Sequence, residues 1–258
     1  MESMNSMNDW IRVFHPAPEA PARLLVFPHA GGAAGAYYAL SAEVTGPLEP
    51  LLVQYPGRHD RFREPFAERI DDVVDAVLNA LPADPAGRPL ALFGHSMGAT
   101  VAYEAARRLQ ERGETPAALF VSGREGPSLP PALRWPSDPT DAELIADMRL
   151  LAGTENELLT EPTLLELILP ALRADYRMLF AHTHRPGPRL HCPLIALTGD
   201  NDPRVAVPRV AAWEPETTGP FTTHVLAGGH FYLDEHLAYV VEVITGAVSG
   251  AAAGRSVG

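Results

Sequence analysis

The 258-residue sequence contains no lysine, so its 20 basic residues are all arginine. They are outnumbered by 32 acidic residues, and the formal net charge is −12. A field of this sign repels polyanions, which argues against a nucleic-acid partner. The single cysteine, Cys192, excludes an internal disulfide and a cysteine-rich metal site. Such sparse use of cysteine agrees with a reducing compartment, and we expect a cytoplasmic protein.

Long hydrophobic runs are also lacking, because no apolar stretch approaches the roughly 20 residues that span a bilayer. The first ten residues, MESMNSMNDW, have neither the basic start nor the apolar core of a secretory signal. The glycines of HAGGAAG (29–35) do not have the G-x-G-x-x-G spacing of a dinucleotide loop. These absences argue against a membrane protein, a secreted protein and a dinucleotide-binding protein.

The sequence does contain an alternation of apolar runs with amphipathic helical patterns. Apolar residues recur at helical spacing in 64–81 and 97–113. Seven runs rich in Val, Ile, Leu and Phe are typical of strands: 10–14, 23–28, 50–56, 89–94, 117–123, 193–199 and 222–228. Several are apolar throughout, as expected of strands buried on both faces. The pattern predicts a mostly parallel α/β sheet flanked by helices.

The alternation is interrupted between residues 125 and 190. Proline-rich stretches there flank helical patterns at 138–153 and 162–182. We interpret 125–190 as a helical insertion that forms a lid. The core would then consist of 1–124 and 191–248.

Two local features of the chain carry further expectations. Pro170 is expected to kink or divide the second helix of the insertion, because proline lacks a backbone donor and crowds the preceding turn. The tail at 249–258, SGAAAGRSVG, is expected to be disordered.

The most informative motif is GHSMG at 94–98, which follows a predicted strand and precedes a predicted helix. This is the context of the nucleophile elbow, a sharp turn on which a serine stands in a strained backbone conformation. Gly94 and Gly98 would remove the Cβ atoms that otherwise collide with the neighbouring strand and helix. Ser96 is therefore the candidate nucleophile.

A serine hydroxyl needs a histidine base that is oriented by an acid. In folds that carry a nucleophile elbow, these residues follow one another along the chain in the order serine, acid, histidine. His230 follows the last predicted strand in LAGGHFYLDEH, and it is the preferred base. TGDNDPRV (198–205) offers two acids, Asp200 and Asp202. In α/β-hydrolases the acid commonly stands three residues after the glycine that ends this strand. This spacing favours Asp202, and Asp200 would then hold the loop through backbone donors.

An oxyanion hole requires two backbone N–H groups that point at the developing negative charge. One is expected from Met97, directly after the nucleophile. The other is expected from the loop after the strand that ends at Phe27, where small residues permit close approach. Ala30 is the first choice for this donor and His29 the second.

Five motifs together resemble a known family, the type II thioesterases of modular polyketide synthases and nonribosomal peptide synthetases. They are FPHAGG (27–32), QYPGRHDRFREP (54–65), GHSMGA (94–99), GDNDP (199–203) and GGHFYL (228–233). The resemblance runs over nearly the whole chain and implies an α/β-hydrolase fold. It also implies Ser96, Asp202 and His230 as the catalytic triad, with the amides of Met97 and Ala30 as the oxyanion pair.

The implied activity is editing, in which unproductive acyl groups are hydrolysed from phosphopantetheine thioesters on carrier proteins. This chemistry needs neither a metal nor a cofactor. The expected partner is an acyl or peptidyl carrier protein, and the expected oligomeric state is a monomer. For Arg58, Arg61 and Arg63 in the second motif we expect salt bridges to Asp60 or Glu64.

Two other functions remain open at this point. A general carboxylesterase would use the same triad on small-molecule esters, and a binding or scaffolding protein would keep the fold without turnover. Carrier docking cannot depend on net charge, since carrier proteins are typically acidic and this chain is acidic too. A local patch on the insertion is the hypothesis, made of Arg134, Arg149, Arg173 and Arg177.

Overall fold

The computed structural model describes residues 9–130, 136, 138–152 and 161–255. Its seven strands are β1 (Ile11–Arg12), β2 (Ala22–Phe27), β3 (Leu48–Val53), β4 (Leu90–His95), β5 (Leu119–Ser122), β6 (Leu194–Gly199) and β7 (Phe221–Leu226). They form one sheet in the order β1-β3-β2-β4-β5-β6-β7. Only the β1–β3 pairing is antiparallel. The predicted mostly parallel sheet is confirmed, and each predicted run overlaps one strand.

Seven α-helices connect or flank these strands in the described part of the chain. They are α1 (Tyr38–Val44), α2 (Ile70–Asn79), α3 (Met97–Glu111), α4 (Asp141–Ala152), α5 (Pro162–Ala181), α6 (Val207–Val210) and α7 (Leu237–Arg255). The apolar faces of α2 and α3 pack on one side of the sheet, and those of α1 and α7 pack on the other. In β4, Leu92 points to the first side, whereas Ala91 and Phe93 point to the second. None of the described helices is both long and apolar enough to cross a bilayer.

Pro170 does not divide α5, because the helix is continuous through it. The proline removes only one backbone donor from the helix. Its neighbours Leu169, Ala171 and Leu172 are 8%, 3% and 4% exposed. Burial of these side chains offsets the missing hydrogen bond and keeps α5 helical on both sides of Pro170.

The tail is more ordered than its composition predicts, since α7 continues to Arg255. Residues 256–258 lie outside the described part of the chain. The alanines at 251–253 have the highest intrinsic helix propensity, and they extend a helix whose earlier turns are already packed on the sheet. The glycine- and alanine-rich composition predicted disorder. The prediction was wrong for 249–255 because these residues continue a helix that has already begun.

The fold brings the ends of β2, β4, β6 and β7 to one edge of the sheet. All four strands run parallel. The residues that follow them include the loop at 28–32, Ser96, Asp202 and His230. In open parallel sheets, ligands bind at the carboxyl ends of the strands. The predicted functional residues therefore lie at the edge where a site is expected.

Candidate active site

Ser96 occupies a strained turn between β4 and α3. Its backbone has φ +55° and ψ −117°, which is unusual for a residue that carries a side chain. A Cβ atom at Gly94 would lie 2.0 Å from the carbonyl oxygen of Gly98. A Cβ atom at Gly98 would lie 2.0 Å from the carbonyl oxygen of Phe27. The two glycines are therefore required because backbone fills the space that their side chains would need, as the sequence predicted.

We expect Gly98→Ala to lower the free energy of unfolding by about 3 kcal/mol, because the added methyl group meets backbone that cannot rotate away. Gly246→Ala is the matched control: Gly246 is an exposed residue of α7, and no atom lies within 4 Å of its Cβ position. The control should gain about 0.5 to 1 kcal/mol from helix propensity. Chemical denaturation of both variants measures the two effects. Equal stability of the two variants would contradict the steric account of the elbow.

His230 is paired with Asp202 and not with Asp200. Nδ1 of His230 lies 2.7 Å from Oδ2 of Asp202, and the two side chains are 2% and 0% exposed. The other carboxylate oxygen of Asp202 accepts hydrogen bonds from the backbone N–H groups of Arg204 and Val205, at 2.8 Å and 3.1 Å. Three donors thus orient the carboxylate, which in turn orients the imidazole and leaves Nε2 toward the pocket.

Asp200 has the loop-holding role that the sequence predicted for the unselected acid. Its Oδ1 accepts a hydrogen bond from the N–H of Gly228 at 2.9 Å. The same oxygen accepts one from the side-chain amide of Asn201 at 2.7 Å. Asp200 thereby ties the loop after β6 to the loop that carries His230.

Ser96 and His230 line one pocket, together with Ala30 from the loop after β2. Other walls come from α4, which contributes Leu151, and from α5, which contributes Tyr176, Leu179 and Phe180. Among the described residues, no hydrogen bond joins the Ser96 hydroxyl to His230. Such bonds are often long without substrate and tighten in the Michaelis complex.

The loop at 28–32, called here the oxyanion loop, is held by its own hydrogen bonds. The N–H of Gly31 donates to Oδ2 of Asp175 at 2.8 Å, and the N–H of Gly32 donates to the carbonyl oxygen of His29 at 3.0 Å. Because these two amides are already engaged, the two predicted donors, Ala30 and His29, remain for an oxyanion. Met97 begins α3, where first-turn amides have no acceptor within the helix.

Arg58 has a different partner from the one predicted. It forms a two-pronged ion pair with Asp175 on α5, with Nη1–Oδ2 and Nη2–Oδ1 distances of 2.6 Å and 2.7 Å. Burial alone would lower the pKa of Arg58, but the charge and hydrogen bonds of Asp175 overcome this and raise it. The prediction was correct for Arg61, which pairs with Glu64 at 2.5 Å.

Sequence reasoning missed Asp175 because its partner lies 117 residues away along the chain. One signal was present. Leu172, Tyr176 and Leu179 lie at helical spacing on the buried face of α5, and Asp175 interrupts that stripe. A carboxylate among buried apolar residues indicates a buried cation nearby.

Two further histidines surround the base, and both are kept neutral. Burial, with smaller contributions from His230 and Arg58, lowers the pKa of His29 to about 4. Burial, reinforced by His230 and His29, holds the pKa of His95 well below its usual range. Nδ1 of His95 lies 2.8 Å from the hydroxyl of Ser122, a contact that gives this histidine a structural role. Only His230 among the three has a carboxylate partner.

Within the described residues, no group of three or more His, Cys, Asp or Glu side chains could hold a metal ion. The arrangement instead has the components of acyl transfer by a serine. A strained serine, an oriented imidazole and backbone amides meet at one pocket.

Comparison with known proteins points to one family. A model of the thioesterase domain matches residues 22–247. Thioesterase PikA5 of Streptomyces venezuelae is 46% identical over 228 residues, which cover 88% of this chain and 80% of that protein. A probable cadicidin biosynthesis thioesterase of Streptomyces griseus is 42% identical, over 88% of this chain and only 63% of that protein. The type II thioesterase BorB from the borrelidin biosynthetic cluster superposes with a TM-score of 0.84 at 42% identity, over 95% of this chain and 100% of BorB.

Proposed function

The chain belongs to the thioesterase family, and we propose that it has an editing role in polyketide or nonribosomal peptide biosynthesis. It would hydrolyse unproductive acyl groups from the phosphopantetheine thioesters of carrier proteins. The observation that carries the proposal is the 2.7 Å pairing of His230 with Asp202 at the pocket that contains Ser96. The relatives supply the setting, since BorB is a type II enzyme of a biosynthetic cluster.

In the proposed mechanism, His230 Nε2 removes the proton from the Ser96 hydroxyl as its oxygen attacks the thioester carbonyl. The N–H groups of Met97 and Ala30 stabilise the negative oxygen of the tetrahedral intermediate. The intermediate collapses to an acyl-serine, and the carbon–sulfur bond breaks as His230 protonates the departing thiolate. Asp202 stabilises the imidazolium throughout.

The second half of the reaction uses the same groups with water. His230 removes a proton from a water molecule, whose oxygen attacks the acyl-serine carbonyl. A second tetrahedral intermediate forms in the same oxyanion hole. Its collapse returns the proton to Ser96 and releases the carboxylic acid. The enzyme is regenerated without a cofactor.

We further propose that the insertion at 125–190 acts as the lid of the acyl pocket. Support comes from Leu151, Tyr176, Leu179 and Phe180, which line the pocket together with Ser96. An acyl chain on the serine would therefore lie against apolar side chains of α4 and α5. Burial of that chain would contribute about 0.8 kcal/mol per methylene group to binding.

The docking patch proposed for the carrier protein has less available charge than its arginines suggest. Arg173 is paired with Asp141, and Arg177 is paired with Asp138. Arg134 lies outside the described residues. Because two of the four positive charges are neutralised by nearby carboxylates, docking through this patch would depend on Arg134, on Arg149 and on exchange of the ion pairs.

A monomeric cytoplasmic enzyme remains our proposal for the state and the location of the protein. Its support is the single-domain size of the chain and its one buried cysteine, Cys192, which suits a reducing compartment.

The test compares two substrates with the wild-type protein. Carrier protein loaded with acetyl or propionyl groups is incubated with the enzyme, and the loss of acyl mass is followed by mass spectrometry. Hydrolysis of 4-nitrophenyl acetate is measured in parallel. We expect kcat/KM to be higher for the acyl carrier. Turnover of the free ester alone would assign a carboxylesterase, and turnover of neither substrate would favour a binding protein.

A further inference from the structure

The oxyanion loop is anchored at three points by residues outside the proposed triad. The Tyr55 hydroxyl donates to the carbonyl oxygen of Pro28 at 3.2 Å. The N–H of Gly31 donates to Asp175, and Arg58 Nη1 donates to the carbonyl oxygen of Gly32 at 3.1 Å. The proposed donor, the Ala30 amide, therefore lies between fixed peptide groups on both sides.

Asp175 and Arg58 are the centre of this anchoring. Oδ2 of Asp175 accepts from both Gly31 and Arg58, and Oδ1 accepts from the second Arg58 nitrogen. The two side chains are only 4% and 7% exposed. Arg58 also lies over the ring of Tyr55, with Cζ 5.3 Å from the ring centre. Three elements of the site meet here: the oxyanion loop, the loop after β3 that carries Tyr55 and Arg58, and α5.

The contacts of Asp175 and Arg58 do more than hold α5 against the oxyanion loop. A buried ion pair is expensive to desolvate, and apolar residues of similar volume often stabilise a fold equally well. An apolar pair, however, offers no acceptor for the Gly31 N–H and no donor for the Gly32 carbonyl. The charges thus do what packing alone cannot, which is to fix the direction of peptide groups next to Ala30.

We propose that Asp175, held by Arg58, is a positioning residue that aims the Ala30 N–H at the oxyanion. Because Asp175 belongs to α5, the oxyanion hole is complete only while this helix of the insertion is docked on the loop. Leu172 of α5 also packs against the loop, since a Cβ atom at Gly31 would lie 3.3 Å from its Cδ1. The inference rests on the proposed function for its chemistry, but its geometry is independent of the substrate.

The test replaces Asp175 with asparagine, which has one acceptor oxygen where the aspartate offers two. We expect kcat to fall about 100-fold, because a small displacement of a transition-state donor has an effect of this size. KM should change by no more than about twofold, since the oxyanion forms only after binding. Ethylboronic acid provides a second readout. Its tetrahedral adduct with Ser96 places an oxygen in the oxyanion hole, and its affinity, measured by calorimetry, should fall by a similar factor.

Asp84→Asn is the matched control. The Asp84 carboxylate also accepts a backbone N–H, that of Arg88 at 2.7 Å, and also pairs with arginine, through Nε of Arg88 at 3.1 Å. It lies before β4, at the opposite end of that strand from Ser96. Its side chain is 6% exposed. We expect both variants to melt at lower temperature, but only Asp175→Asn to lose kcat and boronate affinity.

If Asp175→Asn does not fold, Arg58→Lys keeps the charge without the planar fork and should show a smaller loss in the same two quantities. Boronate affinity equal to that of the wild type overturns the proposal, as does an equal loss in Asp84→Asn. The boronate arm requires no carrier protein. A wild type that binds the boronate but cleaves no carrier thioester would therefore contradict the editing function, while the comparison of variants still decides the role of Asp175.

Discussion

Thioester hydrolysis is expected to fall about a million-fold in Ser96→Ala, to the level supported by the oxyanion hole and substrate binding alone. The hydroxyl is the atom that forms the covalent intermediate, and neither a neighbouring side chain nor water can take its place on the strained turn. The rate of acyl release from a loaded carrier protein, followed by mass spectrometry, measures the effect. Binding of the acyl carrier should be unchanged, because the substitution removes a single oxygen.

A second serine provides the control for this variant. Ser41 is buried, and its hydroxyl donates a hydrogen bond to the carbonyl oxygen of Tyr38 at 2.8 Å and lies 2.8 Å from Nδ1 of His15. Ser41 lies on α1, away from the pocket. Ser41→Ala should retain full activity with a slightly lower melting temperature. Comparable rates for Ser96→Ala and Ser41→Ala would mean that the serine at the elbow is not the nucleophile.

The second large effect is expected for Asp202→Asn, for which kcat should fall about 10⁴-fold. An asparagine amide presents a donor to the imidazole nitrogen that now donates to the carboxylate. The imidazole would adopt the other tautomer, with a proton on the nitrogen that must accept one from Ser96. The protein should stay folded, because asparagine has nearly the same volume.

Asp200→Asn is the control that separates the change of the His230 tautomer from a general loss of negative charge in the same loop. Asp200 is exposed, and asparagine can still accept the Gly228 N–H. We therefore expect a change in stability of no more than about 0.5 kcal/mol and near wild-type turnover. Steady-state kinetics of the two variants under identical conditions gives the comparison. A larger kinetic loss in Asp200→Asn would reassign the acid.

The features predicted correctly from sequence are those with a local physical cause. A strand buried on both faces requires a continuous apolar run, and the central strands β5 and β6 are buried along their whole length. The elbow requires glycine at two positions because backbone crowds both of them. The spacing after Gly199 selected Asp202, since the length of that loop determines which carboxylate reaches His230.

The features that were missed depend on contacts between distant parts of the chain. The partner of Arg58 became visible only when α5 was placed against the oxyanion loop. The continuity of α5 through Pro170 likewise depends on burial of the flanking residues, which local propensity does not include. In both cases tertiary packing outweighed the local preference of the residue.

The burial of Cys192 makes the protein well suited to site-specific labelling. This cysteine is 1% exposed, and it is the one thiol in a chain that also has no lysine. A maleimide dye would therefore react with a cysteine introduced at Leu167, a position on α5 that is 54% exposed, in preference to the native thiol. The fluorescence of that dye would show whether α5 stays docked on the oxyanion loop during turnover.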